Sequence, residues 1–160
     1  MKLIVTGSRS ITDYSVVRNA IVESGLWDAH KNTIEVLCGM DKGVDMLGKQ
    51  FAEQNKLKLH KHPIEWSKWR VPGANVALRH GQKCNTLAGI WRNHAMGEAA
   101  DAAIIVWDGV GTMSFDMLNY MLSLDKPTYL YPTRSICTDL FDSLTLKGCE
   151  IICPNSLTSM

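Results

Sequence analysis

The chain is predicted to be an α/β protein, with a three-layer Rossmann-like fold built on a mostly parallel sheet with helices on both faces. Three observations predict this. Aliphatic and β-branched runs alternate with amphipathic stretches along most of the 160 residues. Three of the runs end in loops containing Gly7, Gly39 and Gly109. The run Ala103-Ile104-Ile105-Val106-Trp107 is apolar at every position, as a strand covered on both faces must be. The length suits one domain, residues 1–160, with a sizeable core.

The elements follow in order. Leu3-Ile4-Val5-Thr6 reads as a first strand, stopped at Gly7. Asp13 suits a helix N-cap, with Val16, Val17, Ala20 and Ile21 on one face and an end near Gly25. Ile34-Glu35-Val36-Leu37-Cys38 is a second strand. Gly43 to Gln54 is a second helix, with Met46, Leu47, Phe51 and Ala52 on one face. Leu57-Lys58-Leu59-His60 alternates as a third strand before Pro63. Residues 64–87 show weak periodicity, and a stretch of that length without clear structure is a candidate for function. After the apolar run come a helix from Thr112 to Leu124 and a strand over Pro127-Thr128-Tyr129-Leu130-Tyr131. A weaker helix near Leu140 and an edge strand over Glu150-Ile151-Ile152 close the sheet.

Composition narrows the function classes. Hydrophobic residues make up 46% and charged residues 21%, with a net charge of +1, so no global polyanion-binding signature is present. Locally, residues 61–92 carry +5 and the remainder −4, which leaves a solvated surface and an anion site as alternatives. The five cysteines are an odd, scattered set. Cys149 and Cys153 are the only close pair and no histidine follows them, so free thiols are expected and no metal. His60 and His62 alternate on a strand without a third ligand at suitable spacing. No apolar run approaches the ~18 residues of a membrane helix, and no signal peptide precedes the first strand; a cytoplasmic protein is expected.

Several motifs carry chemistry. Gly7, Ser8 and Arg9 end the first strand, where amides, hydroxyl and guanidinium suit a phosphate, or form an ordinary strand-to-helix turn. Gly39 ends the second strand, and Asp45 falls in the first turn of the next helix. There Asp45 either complements the helix dipole or accepts ribose hydroxyls. Gly109, Gly111 and Thr112 follow the apolar strand, as an anion site or a capped helix start. Arg92 offers a fork for phosphate and Asn93 a donor and acceptor for base or sugar, or both are a surface pair. Trp66, Trp69 and Trp91 could stack on a base or pack the core. A parallel sheet brings all of the strand-end loops to one edge.

Ile4 to Arg9, Gly39 to Asp45, Trp66, Ala88 to Met96, Ala100-Asp101 and Gly109 to Thr112 carry a resemblance, covering residues 2 to about 131. In that order they resemble the SLOG superfamily of Rossmann-like nucleotide-binding domains, its YspA/YpsA-related branch above all, found in bacteria and their phages. Relatives include lonely-guy type phosphoribohydrolases, the single-strand DNA binder DprA and sensors of NAD-derived signals. In the hydrolases an arginine of an Arg-Lys pair and a glutamate shortly after the Gly-Thr loop act on the substrate. Arg92 matches that arginine, Asn93 stands where lysine is usual, and Phe115 occupies the glutamate position. Asp116 is adjacent but about 100° round the helix. Arg92, Asp116 and Asp45 are the catalytic candidates if the chain is a nucleotide N-glycosidase.

The first reading is a binder of a nucleotide or nucleotide-derived molecule at the C-terminal sheet edge. It uses Gly7, Ser8, Arg9, Gly39, Asp45, Trp66, Arg92, Asn93, Gly109, Gly111 and Thr112, with no cofactor and no metal. The alternative is N-glycosidic cleavage at the same site. The neutral charge argues against nucleic acid as the partner. Met113, Met117, Tyr120 and Met121 form a helix face that would serve a homo-oligomer or the core.

Overall fold

The computed structural model describes residues 1–154. Strands β1 (Lys2–Gly7), β2 (Glu35–Cys38), β3 (Lys58–Lys61), β6 (Ala102–Trp107), β7 (Thr128–Pro132) and β8 (Cys149–Ile151) form one sheet in the order β3-β2-β1-β6-β7-β8. Every pairing in it is parallel. Strands β4 (Val76–Arg79) and β5 (Gln82–Asn85) stand apart as an antiparallel hairpin. The main sheet has the doubly wound order that reverses direction between its two central strands.

Side-chain alternation divides the sheet's two faces. Leu3, Val5, Val36, Ile104 and Val106 point to one layer, where they meet Val17, Ala20 and Ile21 of α1 (Tyr14–Glu23) and Phe51 and Ala52 of α3 (Val44–Gln54). Ile4, Leu37, Ala103 and Ile105 point to the other, against Met96 of α4 (Ala88–Ala99), Met117, Leu118 and Met121 of α5 (Thr112–Ser123) and Leu144 of α6 (Thr138–Leu146). All six residues of β6 are buried, in keeping with its place at the sheet centre.

Asp13 does cap α1, its carboxylate accepting from the Ser15 amide. Three readings need correction. A short helix, α2 (Leu26–His30), follows Gly25, and its Trp27 packs edge-on against Phe51, ring centres 5.1 Å apart. Met46 is exposed, because Val44, Asp45 and Gly48 turn the inner face of α3 away from it. Residues 76–85 are ordered as a hairpin. Arg79 pairs with Gln82, and His80 and Gly81 both have positive φ, the conformation of a tight two-residue turn.

The helix face suggested for self-association is covered. Met117 and Met121 are in the core, Met113 lies over Gly89, and Tyr120 packs on Gly97. Lys126 closes this packing from the side. Its Nζ donates to the carbonyls of Gly97, Glu98 and Ala100 at 2.7–2.8 Å, the end of α4 where cations are favoured. Lys126→Ala is expected to lower stability by about 1.5 kcal/mol in urea unfolding. The five cysteines are free. Among the described residues no helix is long and apolar enough to cross a membrane.

Candidate functional site

The chain reverses winding direction between β1 and β6, and their C-terminal ends open into a cleft of about 380 Å³. Its walls come from the loop after β1, the loop after β2, the start of α5 and one turn of α4. Gly7 sits in the β1–β6 ladder opposite Val106, and a Cβ there would run into the Val106 carbonyl. The close strand approach alone therefore requires this glycine.

Ser8 is buried at the cleft floor. It ties the two central loops together: its amide donates to the Val106 carbonyl and its Oγ accepts from the Asp108 amide, both at 2.9 Å. Asp108 in turn accepts from Ser10 Oγ (2.7 Å) and from the amides of Val110 (2.9 Å) and Gly111 (3.1 Å). Two amides of the glycine loop are thus held by a side chain of the protein itself. Gly109 supplies the positive φ of that turn, and Gly111 lines the cleft. No side chain caps α5, so its first turn, Thr112 to Ser114, faces the cleft with amides free of a capping partner.

Burial raises the Asp108 pKa, but the bonds from Ser10, Val110, Ser8 and Gly111 outweigh it and hold the carboxyl well below the usual carboxylate range. A depressed folded value means the stabilisation is present above the ordinary aspartate pKa of ~4 and is lost as pH falls below it. Asp108→Asn should therefore flatten the acid limb of the stability–pH profile and cost about 1 kcal/mol at pH 7. Unfolding titrations at neutral and acid pH would measure this.

The opposite wall is a network around Arg92. The Arg92 side chain is only 7% exposed. Its Nη1 donates to the carbonyls of Gly39 and His62, its Nη2 to Asp41 Oδ2 at 2.8 Å and its Nε to Asn93 Oδ1 at 3.1 Å. Asp41 also meets Arg9, whose half-exposed guanidinium lies 3.5 Å from Oδ1. Asp45 is buried and accepts from Thr6 Oγ1 at 2.6 Å and from the Asp41 amide at 3.2 Å. Burial pushes the Asp45 carboxyl above the ordinary range against the pull of Thr6 and Arg92. Gly39 is needed because a Cβ would enter the space of the Arg92 guanidinium and the Asp45 carboxylate.

The structure brings Gly7, Ser8, Arg9, Asp45, Arg92, Asn93, Gly111 and Thr112 to one cleft, though not in the roles first expected. Arg92 has nearly all its donors committed to protein acceptors, and these bonds brace the cleft wall. Asn93 is a buried latch, its Nδ2 donating to the Met113 carbonyl (3.0 Å) and to Asp116 Oδ2 (3.2 Å). Asp116 lies behind Asn93, outside the cleft lining, beside His94 at 3.5 Å. Phe115 stacks on Trp107, ring centres 5.4 Å apart. Of the catalytic candidates, Arg92 and Asp45 therefore stand together at the cleft wall, whereas Asp116 lies outside it. Trp66, in the loop before the hairpin, packs beside it with Arg79 5.0 Å over its ring, away from the cleft. Sequence reasoning overlooked Asp41, Ser10 and Asp108. The position of Asp108, last before the glycine loop, was the available signal for it.

His60 pairs with Glu35 at 2.6 Å, and the described residues contain no cluster of three His, Cys, Asp or Glu fit for a metal.

Comparison with known proteins gives a family-model match to the first part of the chain and a fold. The family model described as YAcAr, the YspA, cpYpsA-related SLOG family, matches residues 1–69. No curated protein matches. Three solved structures are similar. The molybdenum cofactor binding protein of Rippkaea orientalis has a TM-score of 0.64 at 19% identity over 94% of this chain and 87% of that one. DNA processing protein A from Helicobacter pylori, studied for its single-stranded DNA binding mode, has a TM-score of 0.63 at 19% identity, covering 95% and 75%. The same protein from Streptococcus pneumoniae has a TM-score of 0.62 at 16% identity, covering 94% of this chain and 57% of its own. This chain thus spans little more than half of that last protein. At these identities the likeness establishes the Rossmann-like α/β fold.

Proposed function

We propose that this SLOG-type protein, matched to its family over residues 1–69, binds a nucleotide or nucleotide-derived small molecule in the cleft between β1 and β6. The observation that carries the reading is the pairing of two unlike walls across one cleft. The uncapped first turn of α5 suits a phosphate, while on the other wall Asp41 suits sugar hydroxyls and Arg9, 3.5 Å from it, adds positive charge toward the phosphate. The relatives' association with a cofactor and with single-stranded DNA is consistent with a ligand of nucleotide chemistry. In this reading residues 1–160 act as one nucleotide-binding domain.

Binding is favoured over cleavage. N-glycosidic hydrolysis calls for a carboxylate at the developing oxocarbenium or on a water. Asp45 is buried at the cleft wall and already accepts from Thr6 and the Asp41 amide, Asp116 lies outside the lining and Phe115 is packed on Trp107. Asp41 reaches the cleft, but it is already paired with Arg92 and Arg9.

Calorimetric titration with a panel of nucleoside monophosphates and NAD-like dinucleotides tests the reading. Arg9→Ala should weaken phosphate-bearing ligands by about 1.5 kcal/mol, roughly tenfold, and leave dephosphorylated nucleosides unchanged. Equal losses for both ligand classes, or no binding at all, would overturn it. Recovery of free base from the same incubations, abolished by Asp41→Asn, would establish the glycosidase alternative instead.

A further inference from the structure

Arg92 has a second side. Beyond its guanidinium, His62, Pro63 and the second turn of α4 enclose a separate cleft of about 520 Å³ under the 64–87 segment. Asn85, at the end of β5, lines this cleft and is fully buried. Its Oδ1 accepts from the amides of Asn75 and Leu87, both at 3.1 Å. Its Nδ2 has no partner, the one buried side-chain polar atom among the described residues of which that holds. Turning the amide over would set Nδ2 against two N–H donors, so its neighbours fix the assignment. A buried amide donor left unpaired is costly, and Asn85 Nδ2, which lies just behind the cleft wall with no accessible surface, gains a partner when a small shift of its side chain meets an occupant that supplies an acceptor.

Two further features characterise the occupant. The Trp91 indole and Val71, both 38% exposed, give the cleft apolar surfaces that no protein group covers fully. Lys61 supplies positive charge at the rim, whereas Lys68 is held by Glu65 at 2.7 Å. Burial keeps the His62 pKa below its ordinary value, so the imidazole adds no charge near neutral pH.

We propose that this second cleft is a binding site of its own for a planar heterocycle that carries a hydrogen-bond acceptor and an anionic substituent. The ring packs on Trp91, the anion lies toward Lys61, and a small shift of the Asn85 side chain brings its Nδ2 proton to the ring's acceptor. A nucleoside monophosphate has this chemistry, and the inference does not require the first cleft to bind one.

The test is a titration of ¹⁵N-labelled protein with each of the four common nucleoside monophosphates, followed by NMR. The Trp91 indole N–H and the Asn85 side-chain amide should shift with at least one. Trp91→Ala, which removes an exposed ring and no hydrogen bond, should weaken that binding about tenfold. Lys61→Ala should weaken it several-fold, and Arg9→Ala in the first cleft should leave it unchanged. Shifts confined to the amides of Ser8 and Gly111 would overturn this inference while supporting the first cleft. Shifts confined to Trp91 and Asn85 would support this inference and count against monophosphates in the first cleft, and no shift at Trp91 or Asn85 with any of the four would overturn it. Unaltered affinity in both Trp91→Ala and Lys61→Ala would also overturn it.

Discussion

Arg92→Ala is expected to destabilise the protein by about 3 kcal/mol, the low end for breaking a buried ion pair by removing one partner. The low end applies because Asp41 is 29% exposed and water can partly replace the guanidinium there. The other losses have no such relief. The Gly39 and His62 carbonyls and Asn93 Oδ1 each lose a donor inside the fold. Asp45, already pushed toward its protonated form by burial, loses a neighbouring positive charge that opposed the shift. Its folded pKa should therefore rise further. A raised carboxyl value gives stability that is present at low pH and is lost as pH rises through the folded value. The variant should consequently lose more stability at pH 7 than at pH 5, relative to the parent chain. Urea unfolding at the two pH values measures both effects. A variant that binds nucleotide more weakly but unfolds like the parent would return Arg92 to the ligand.

The backbone architecture was readable because each of its signals is local. Gly7, Gly39 and Gly109 interrupt apolar runs, and Asp13 caps a helix whose apolar face repeats at helical spacing. The hairpin escaped because it lies off the main sheet and half of it is solvent-facing. Leu78 is 71% exposed, so Val76–Arg79 shows no buried face from which to infer a strand. What the strand-end residues do was legible only in part. A parallel sheet gathers its loops at one edge, and Ser8, Arg9, Gly111 and Thr112 do meet there. No spacing rule shows that Arg92 reaches across 53 positions to Gly39, or that Asn93 latches α4 to α5. Those bonds depend on the crossing of helices, which a single sequence does not encode locally. The same limit concealed Asp108, whose capture of the Val110 and Gly111 amides turns part of an apparent phosphate loop into a self-filled one.

Gly39→Ala is expected to cost about 3 kcal/mol, at the upper end for adding a methyl group to a packed interior. The added carbon has nowhere to go without moving the Arg92 guanidinium or the Asp45 carboxylate, and each is pinned by bonds of its own. The position has no positive φ, so backbone strain does not enter, and the cost is one of collision. That origin has a consequence which a glycine kept for ligand approach would not share. In an Arg92→Ala background the guanidinium is absent, and the methyl group enters part of the space it leaves. The double variant should therefore unfold at a stability at least 1 kcal/mol above the sum of the two single losses, as directly contacting residues do in a mutant cycle. Additive losses across the four proteins would mean that the two residues act independently, with Gly39 then answering to the ligand and not to Arg92.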